Sequence, residues 1–271
     1  MEPKILYGKP VAESVYQRCG DLSGKKLAII TIGEDFASKK YVEKKMEACK
    51  RVNLQGVNYR FSEDENFSEI VKTIDELNSD EDYIGIMIQK PIPEKFNKLF
   101  CMIDMFVDVD CCTFEMYSQM MAGYMGGFLP ATPRGVMELL KFYGYDVSGK
   151  HVVIIGRSEL VGKPLASLME HCDATVSLCH SKTNTDTLKR LTHCADIIVS
   201  AVGKPHIWGA EYIGDNKPVL IDVGTSRGAD GKLSGDFNIK EIGDKCEAYT
   251  PVPFGIGPVT VSMLMLNCSE A

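Results

Sequence analysis

The stretch Val152-Val153-Ile154-Ile155-Gly156-Arg157-Ser158-Glu159-Leu160-Val161-Gly162-Lys163-Pro164 decides the fold. Its apolar run reads as a buried strand, Gly156 as a turn, and Pro164 to His171 as a helix. Working outward, helix Arg134 to Phe142 leads into strand His151 to Ile155. Strands recur at Thr175 to Leu178, Asp196 to Ala201 and Val219 to Val223, with a helix at Thr185 to His193. Nearer the N-terminus lies a second series, with strands at Lys26 to Ile32, Gly56 to Phe61 and Ile84 to Gln89. Helices at Ser38 to Val52 and Phe67 to Leu77 separate them. This alternation predicts an α/β class with parallel sheet. The turn formers from Gly123 to Pro133 divide the chain into two lobes.

The 271 residues, 45% hydrophobic and 25% charged, suit an enzyme-sized body with real cores and exclude a disordered or fibrous class. The formal charge of −7 gives no basic face for nucleic acid, so no nucleic-acid partner is expected. No run approaches the roughly 18 consecutive apolar residues of a membrane span. The opening MEPKILYGKP lacks the basic-then-apolar order of a secretion signal, and a cytoplasmic protein without a membrane partner is expected. The 10 Cys are single except for Cys111-Cys112 and include no C-x-x-C pair. They read as small core residues, with no disulfide and no metal expected.

The turn after Ile155 is the context in which a glycine bend and a helix N-terminus bring backbone N–H groups against a pyrophosphate. The strict G-x-G-x-x-G pattern is not met, because Ser158 and Val161 replace its second and third glycines. An ordinary strand-to-helix turn therefore stays open as a reading. The next strand runs into Cys179-His180-Ser181-Lys182-Thr183, where dinucleotide folds read the adenosine ribose. Hydroxyl and cationic groups there, with Arg157, suit a 2′-phosphate better than a bare ribose.

In the first lobe Tyr41 and Lys45 are one helical turn apart, beside an apolar stripe of Val42, Met46 and Cys49. A desolvated Lys beside a phenol suits proton handling, although the same spacing is common on ordinary helix surfaces. Gln89 closes an apolar strand, at the end where parallel sheets bind ligands. Asp108-Val109-Asp110 offers carboxylates for an amino-bearing heterocycle, or is simply a turn. The Pro- and Gly-rich segment Tyr249 to Thr260 reads as a rigid loop ahead of helix-like Val261 to Leu266.

Together these pieces resemble the bifunctional 5,10-methylenetetrahydrofolate dehydrogenase and 5,10-methenyltetrahydrofolate cyclohydrolase family. The motifs run in the family's order over nearly the whole chain. They begin with Ile32-Gly33-Glu34-Asp35, Ala37-Ser38, Tyr41-x-x-x-Lys45, Gly85-Ile86-Met87-Ile88-Gln89-x-Pro91 and Asp108-Val109-Asp110. They continue with Pro130-x-Thr132-Pro133, Gly156-Arg157-Ser158-x-x-Val161-Gly162-x-Pro164, Cys179-His180-Ser181-x-Thr183, Ile221-Asp222-Val223-Gly224, Gly235-Asp236, Thr250-Pro251-Val252-Pro253 and Gly257-Pro258-Val259-Thr260.

The resemblance implies a folate-binding catalytic domain over 1–125 with 251–271 and a Rossmann-like NADP-binding domain over 126–250. It implies NADP-dependent oxidation of 5,10-methylenetetrahydrofolate and hydrolysis of the methenyl product to 10-formyltetrahydrofolate, in one-carbon metabolism and purine biosynthesis. By the same resemblance Lys45 is the main proton-handling group, Tyr41 and Gln89 bound the reacting carbon, and Asp110 bonds the pterin amino side. Pro253 and Gly257 join the substrate site. Gly156, Arg157, Ser158, Gly162, Thr132, His180 and Ser181 bind the nucleotide, Arg157 and Ser181 at its 2′-phosphate. The family usually forms homodimers through the nucleotide lobe and needs no metal.

Three positions depart from the family pattern. Lys90 replaces a Leu and adds a cation beside the substrate pocket, while Cys111 and Phe254 each replace a Gly. A side chain at those two positions is expected to forfeit positive φ and add bulk. Three other readings stay open: only one of the two activities survives, the chain is a non-catalytic NADP-binding protein of the same fold, or it is an NADP dehydrogenase of another substrate.

Overall fold

Two separate parallel sheets carry the described residues, which in this computed structural model are 2–34, 36–228 and 231–271, with only the backbone of Phe36 and Ala37. Asp35 of the Ile32-Gly33-Glu34-Asp35 motif lies outside the described residues. In chain order the elements are β1 (Lys4–Ile5), α1 (Gly8–Tyr16), β2 (Lys26–Ile32), α2 (Phe36–Arg51), β3 (Gln55–Phe61), α3 (Phe67–Ser79), β4 (Tyr83–Ile88), a 3₁₀ helix (Glu94–Met102) and α4 (Phe114–Met121). They continue with α5 (Ala131–Phe142), β5 (His151–Ile155), α6 (Gly162–His171), β6 (Thr175–Cys179), α7 (Thr185–His193), β7 (Ile197–Ser200), β8 (Val219–Asp222), β9 (Ser226–Arg227), β10 (Leu233–Ser234), α8 (Ile239–Ile242), β11 (Ala248–Tyr249) and α9 (Ile256–Glu270).

One unit comprises Glu13–Ala131 with Val261–Ala271. Its sheet has the order β3-β2-β4, all parallel, with Ile29 opposite both Asn58 and Met87. Central β2 is covered on both faces, which is why Leu27 to Ile30 are all apolar and fully buried. Helix α3 lays Ile70, Ile74 and Leu77 on the core at helical spacing, and Asn66 caps it by accepting from the Ser68 N–H at 3.1 Å. Phe96 and Leu99 of the 3₁₀ helix complete this core.

The other unit comprises the chain up to Ala12 and Thr132–Thr260. Its parallel sheet has the order β1-β11-β8-β7-β5-β6. Interior β5 buries Val152, Val153 and Ile154 completely, as its unbroken apolar run demands. Val153, Ile198 and Leu220 pack with Leu188, Trp208 and Phe237.

The domain limits read from sequence differ from this division at three places. Residues 126–131 stand with the first unit. Residues up to Ala12 stand with the second unit because β1 pairs with β11, Lys4 against Ala248 and Ile5 against Tyr249. Residues 251–260 also stand there. Two exposed residues form β1, so no hydrophobic pattern marks it. No helix of the described residues is long and apolar enough to cross a membrane.

Candidate active site

Helix α2 fixes its register by burying Val42, Ala48 and Cys49, which leaves Tyr41 and Lys45 on a neighbouring face. Lys45 Nζ donates to Gln89 Oε1 at 2.9 Å and lies 3.5 Å from Met87 Sδ. Gln89 follows directly on β4, held by its N–H on the Ile30 carbonyl at 2.8 Å. Its Nε2 donates to the Lys90 carbonyl at 2.7 Å, so the amide oxygen is the atom left to face Lys45. Burial holds the Lys45 ammonium below the ordinary Lys range, while the charge of Asp110 pulls in the opposite direction.

Asp110 is the carboxyl beside that amine. Burial pushes it up, Lys45 opposes the push, and Asp108 adds to it. The Ala131 N–H and Lys90 also favour its ionised form. Asp108 plays a structural part, since its two oxygens accept from the Cys112 N–H at 3.0 Å and the Thr113 N–H at 2.7 Å, at the start of α4. Asn267 of α9 donates to the Val109 and Leu129 carbonyls at 2.7 and 2.8 Å, fixing the Asp108–Asp110 segment from below. Tyr41 is 40% exposed, with Lys44 Nζ 5.9 Å from its ring centroid. Gln89 and Pro91 also line a cavity of about 550 Å³ bordered by Thr31, Ser38, Lys39 and Arg60.

Lys90 places its Nζ 4.4 Å from the Phe100 ring centroid. Positive φ at Cys111 and Phe254 is retained, at +53° and +90°, contrary to the expectation that their side chains forfeit it. Neighbouring contacts impose these conformations. The Cys111 N–H is tied to the Asp108 carbonyl at 3.1 Å, and the Phe254 carbonyl accepts from the Gly8 N–H at 2.8 Å. Phe254 is 65% exposed, so its bulk meets no packed core. Burial keeps the Cys111 thiol protonated, against a reactive role.

In the second unit Gly156 has φ +125°, and a Cβ there would meet the Ala201 carbonyl oxygen at 2.6 Å. A Cβ on Gly162 would meet the Gly156 oxygen at 1.9 Å, so this turn requires glycine at both places. Helix α6 starts with no side-chain cap; the Lys163 N–H is taken by the Ser158 carbonyl at 3.0 Å and Pro164 has no N–H, which leaves the Gly162 N–H of its first turn for an anion. Ser158 Oγ accepts from the Val161 N–H at 3.2 Å. Arg157 and Ser181 are exposed, each two residues past the register pair Ile155 and Cys179, at the ends of adjacent strands. His180 organises the second loop: its N–H donates to Thr183 Oγ1 at 2.9 Å, and its Nδ1 accepts from the Lys182 N–H at 3.1 Å. Thr132 Oγ1 accepts from Thr260 Oγ1 at 3.2 Å. Pro253 directly precedes Phe254 in the Pro- and Gly-rich loop, while Gly257 lies in the first turn of α9, where a Cβ would meet nothing within 4 Å. A glycine cradle, an uncapped helix start and a cation with a hydroxyl at the next strand end fit a phosphorylated dinucleotide.

Sequence reasoning missed the Met87 sulfur, the Ala131 N–H and the carboxylate of Asp236, which takes four hydrogen bonds. Gly235-Asp236 belongs to the family's motifs, but no periodicity shows what a loop Asp accepts.

Comparison with known proteins covers both units. Residues 6–110 match the family described as tetrahydrofolate dehydrogenase/cyclohydrolase, catalytic domain, and 130–271 match its NAD(P)-binding domain. The bifunctional protein FolD of Campylobacter concisus is 41% identical over 274 residues, covering 97% of this chain and 95% of that protein. That of Agathobacter rectalis is 42% identical over 247 residues, covering 90% and 87%. Among solved structures, the FolD methylenetetrahydrofolate dehydrogenase/cyclohydrolase of Campylobacter jejuni superposes with a TM-score of 0.92 at 34% identity, covering 98% of this chain and 97% of that one. The Trypanosoma brucei enzyme, complexed with NADP cofactor and inhibitor, gives 0.91 at 28% identity, covering 100% and 97%.

Proposed function

The chain belongs to the tetrahydrofolate dehydrogenase/cyclohydrolase family, and on that premise we propose that Lys45, Gln89, Asp110 and Tyr41 form the site at which its one-carbon chemistry takes place. The enzyme oxidises 5,10-methylenetetrahydrofolate with NADP and hydrolyses the methenyl product to 10-formyltetrahydrofolate. Bound NADP supplies the hydride acceptor for the first step. In the second, water adds to the cationic methenyl carbon and loses a proton to the Lys45 amine, whose proton affinity burial lowers. The ammonium so formed is held by Gln89 Oε1 and gives its proton to the departing ring nitrogen. The remaining hydroxyl proton leaves to solvent, so the reaction releases one proton overall. Asp110 bonds the amino side of the pterin, and Tyr41 borders the ring.

For the nucleotide, the Gly156 and Gly162 backbone with Ser158, Thr132 and His180 holds the pyrophosphate side, and Arg157 and Ser181 hold the 2′-phosphate. In this reading the enzyme acts in the cytoplasm as a homodimer joined through the nucleotide-binding unit. The observation that carries the proposal is the 2.9 Å bond between a desolvated amine and a glutamine oxygen, with a carboxyl beside it. A two-part spectrophotometric assay tests it. Methylenetetrahydrofolate with NADP+ is expected to yield reduced nicotinamide, and methenyltetrahydrofolate to disappear faster than in buffer. An enzyme with one signal missing has kept a single activity, against the proposal.

A further inference from the structure

We propose that Asp236 is a positioning residue of the nucleotide site, its buried carboxylate clamping the loop from Ser200 to Lys204 against which the Gly156 turn is packed. The inference rests on the reading of this unit as the dinucleotide-binding one. Asp236 is fully buried. Its Oδ2 accepts from Ser200 Oγ at 2.6 Å, the Val202 N–H at 2.8 Å and the Gly203 N–H at 3.2 Å, and its Oδ1 accepts from the Lys204 N–H at 2.8 Å. Three consecutive backbone donors and a hydroxyl thus converge on one side chain. A loop leaving a strand normally gives such donors to water or to its own turn, whereas here an anion collects them and fixes each peptide's direction.

The clamp is tightened from two sides. Trp208, itself buried, donates its indole N–H to Ser200 Oγ at 2.8 Å. Gly224 approaches so closely that a Cβ would lie 2.2 Å from either carboxylate oxygen, so no other residue fits there. Its effect reaches the phosphate turn through backbone alone. The Ala201 N–H donates to the Ile155 carbonyl at 2.8 Å, and the Ala201 oxygen lies 2.6 Å from where a Cβ on Gly156 would be. Moving the loop therefore moves the wall that Gly156 leans on. The loop lies at the carboxyl end of β7, the side on which open parallel sheets bind their ligands. With all four bonds directed into the protein, Asp236 acts through the loop and touches no ligand.

Asp236→Asn tests this with little change of shape, because an amide nitrogen in place of Oδ2 turns a shared acceptor into a donor facing three donors. Losing such a charged acceptor is expected to raise the KM for NADP about tenfold or more. Turnover at saturating NADP should change far less, and hydrolysis of methenyltetrahydrofolate, carried by the other unit, should be retained. Ser200→Ala removes one of the four bonds and is expected to raise the same KM by about threefold, which covers the case of an insoluble Asn variant. An unchanged KM for NADP in the folded variants overturns the inference. So does a loss of both activities in proportion, which marks general destabilisation. A wild-type enzyme with no NADP-dependent oxidation would overturn the functional reading itself, a result separate from the variants' behaviour.

Discussion

Replacing Lys45 by Met keeps an unbranched side chain on α2 and removes the ammonium, with its 2.9 Å bond to Gln89. If that group performs the proton transfers, hydrolysis of methenyltetrahydrofolate should fall by about 10²–10⁴-fold, or about 2.7–5.4 kcal/mol of transition-state stabilisation. Stability should move the other way. Burial depresses the Lys45 pKa, so the folded state binds its proton less tightly than the unfolded chain. The unfolded chain therefore holds more protons between the depressed value and the ordinary one, and wild-type stability rises with pH across that window. Below the window the full penalty of a buried charge is present, and Met carries none. The variant should thus melt no lower than wild type at neutral pH while its hydrolysis, followed by methenyl absorbance above the buffer rate, is nearly lost. Lys45→Arg sharpens the test, because guanidinium can bond Gln89 but gives up no proton at working pH. Hydrolysis at the wild-type rate in either variant, or a lost rate explained by lost folded protein, would refute the reasoning.

Arg157→Ala removes a cation assigned to the 2′-phosphate and should weaken NADP by roughly 10- to 100-fold while leaving NAD little changed. Equal weakening in paired KM measurements would contradict that assignment. Lys90 helps keep Asp110 ionised, so Lys90→Leu should raise the Asp110 pKa further and move the acid limb of the kcat/KM profile to higher pH. A limb that stays in place or moves to lower pH would remove Lys90 from the electrostatics of the site. Asp222 is buried, its carboxyl is pushed well above the usual carboxylate range by burial, and Oδ1 has no hydrogen-bond partner among the described residues. Its favourable, protonated contribution is complete below the unfolded pKa and is lost as pH rises toward the folded one. Asp222→Asn should accordingly raise the melting temperature at neutral pH and change it little near pH 3, which paired thermal melts would show.

Much of the fold was legible because its signals are local. The runs Lys26–Ile32 and His151–Ile155 are strands with those limits, and Thr185–His193 is a helix with those limits. Short β1 and β11 were not legible, since two residues carry no period and their pairing joins positions 4 and 248. Within the site, Lys45 and Gln89 stood out as a helix-borne amine and a strand-end amide. Their partnership across 44 residues depends on the registers of β2 and β4, which no spacing along the chain encodes. Cys111 and Phe254 made the converse point: side-chain identity argued for a changed backbone, and surrounding hydrogen bonds kept positive φ nonetheless.

By itself, then, the order of residues determined the α/β class and the two series of strands and helices. Those follow from hydrophobic period and residue type, which act over one or two turns of chain, while the side chains for folate chemistry were picked out by the motifs the chain shares with its family. Only the tertiary structure decided which unit the first residues join, which atom of the Gln89 amide meets the amine, and that a buried Asp236 holds the loop behind the phosphate turn. Such outcomes require groups tens of residues apart to meet within about 3 Å, a distance set by sheet register and packing.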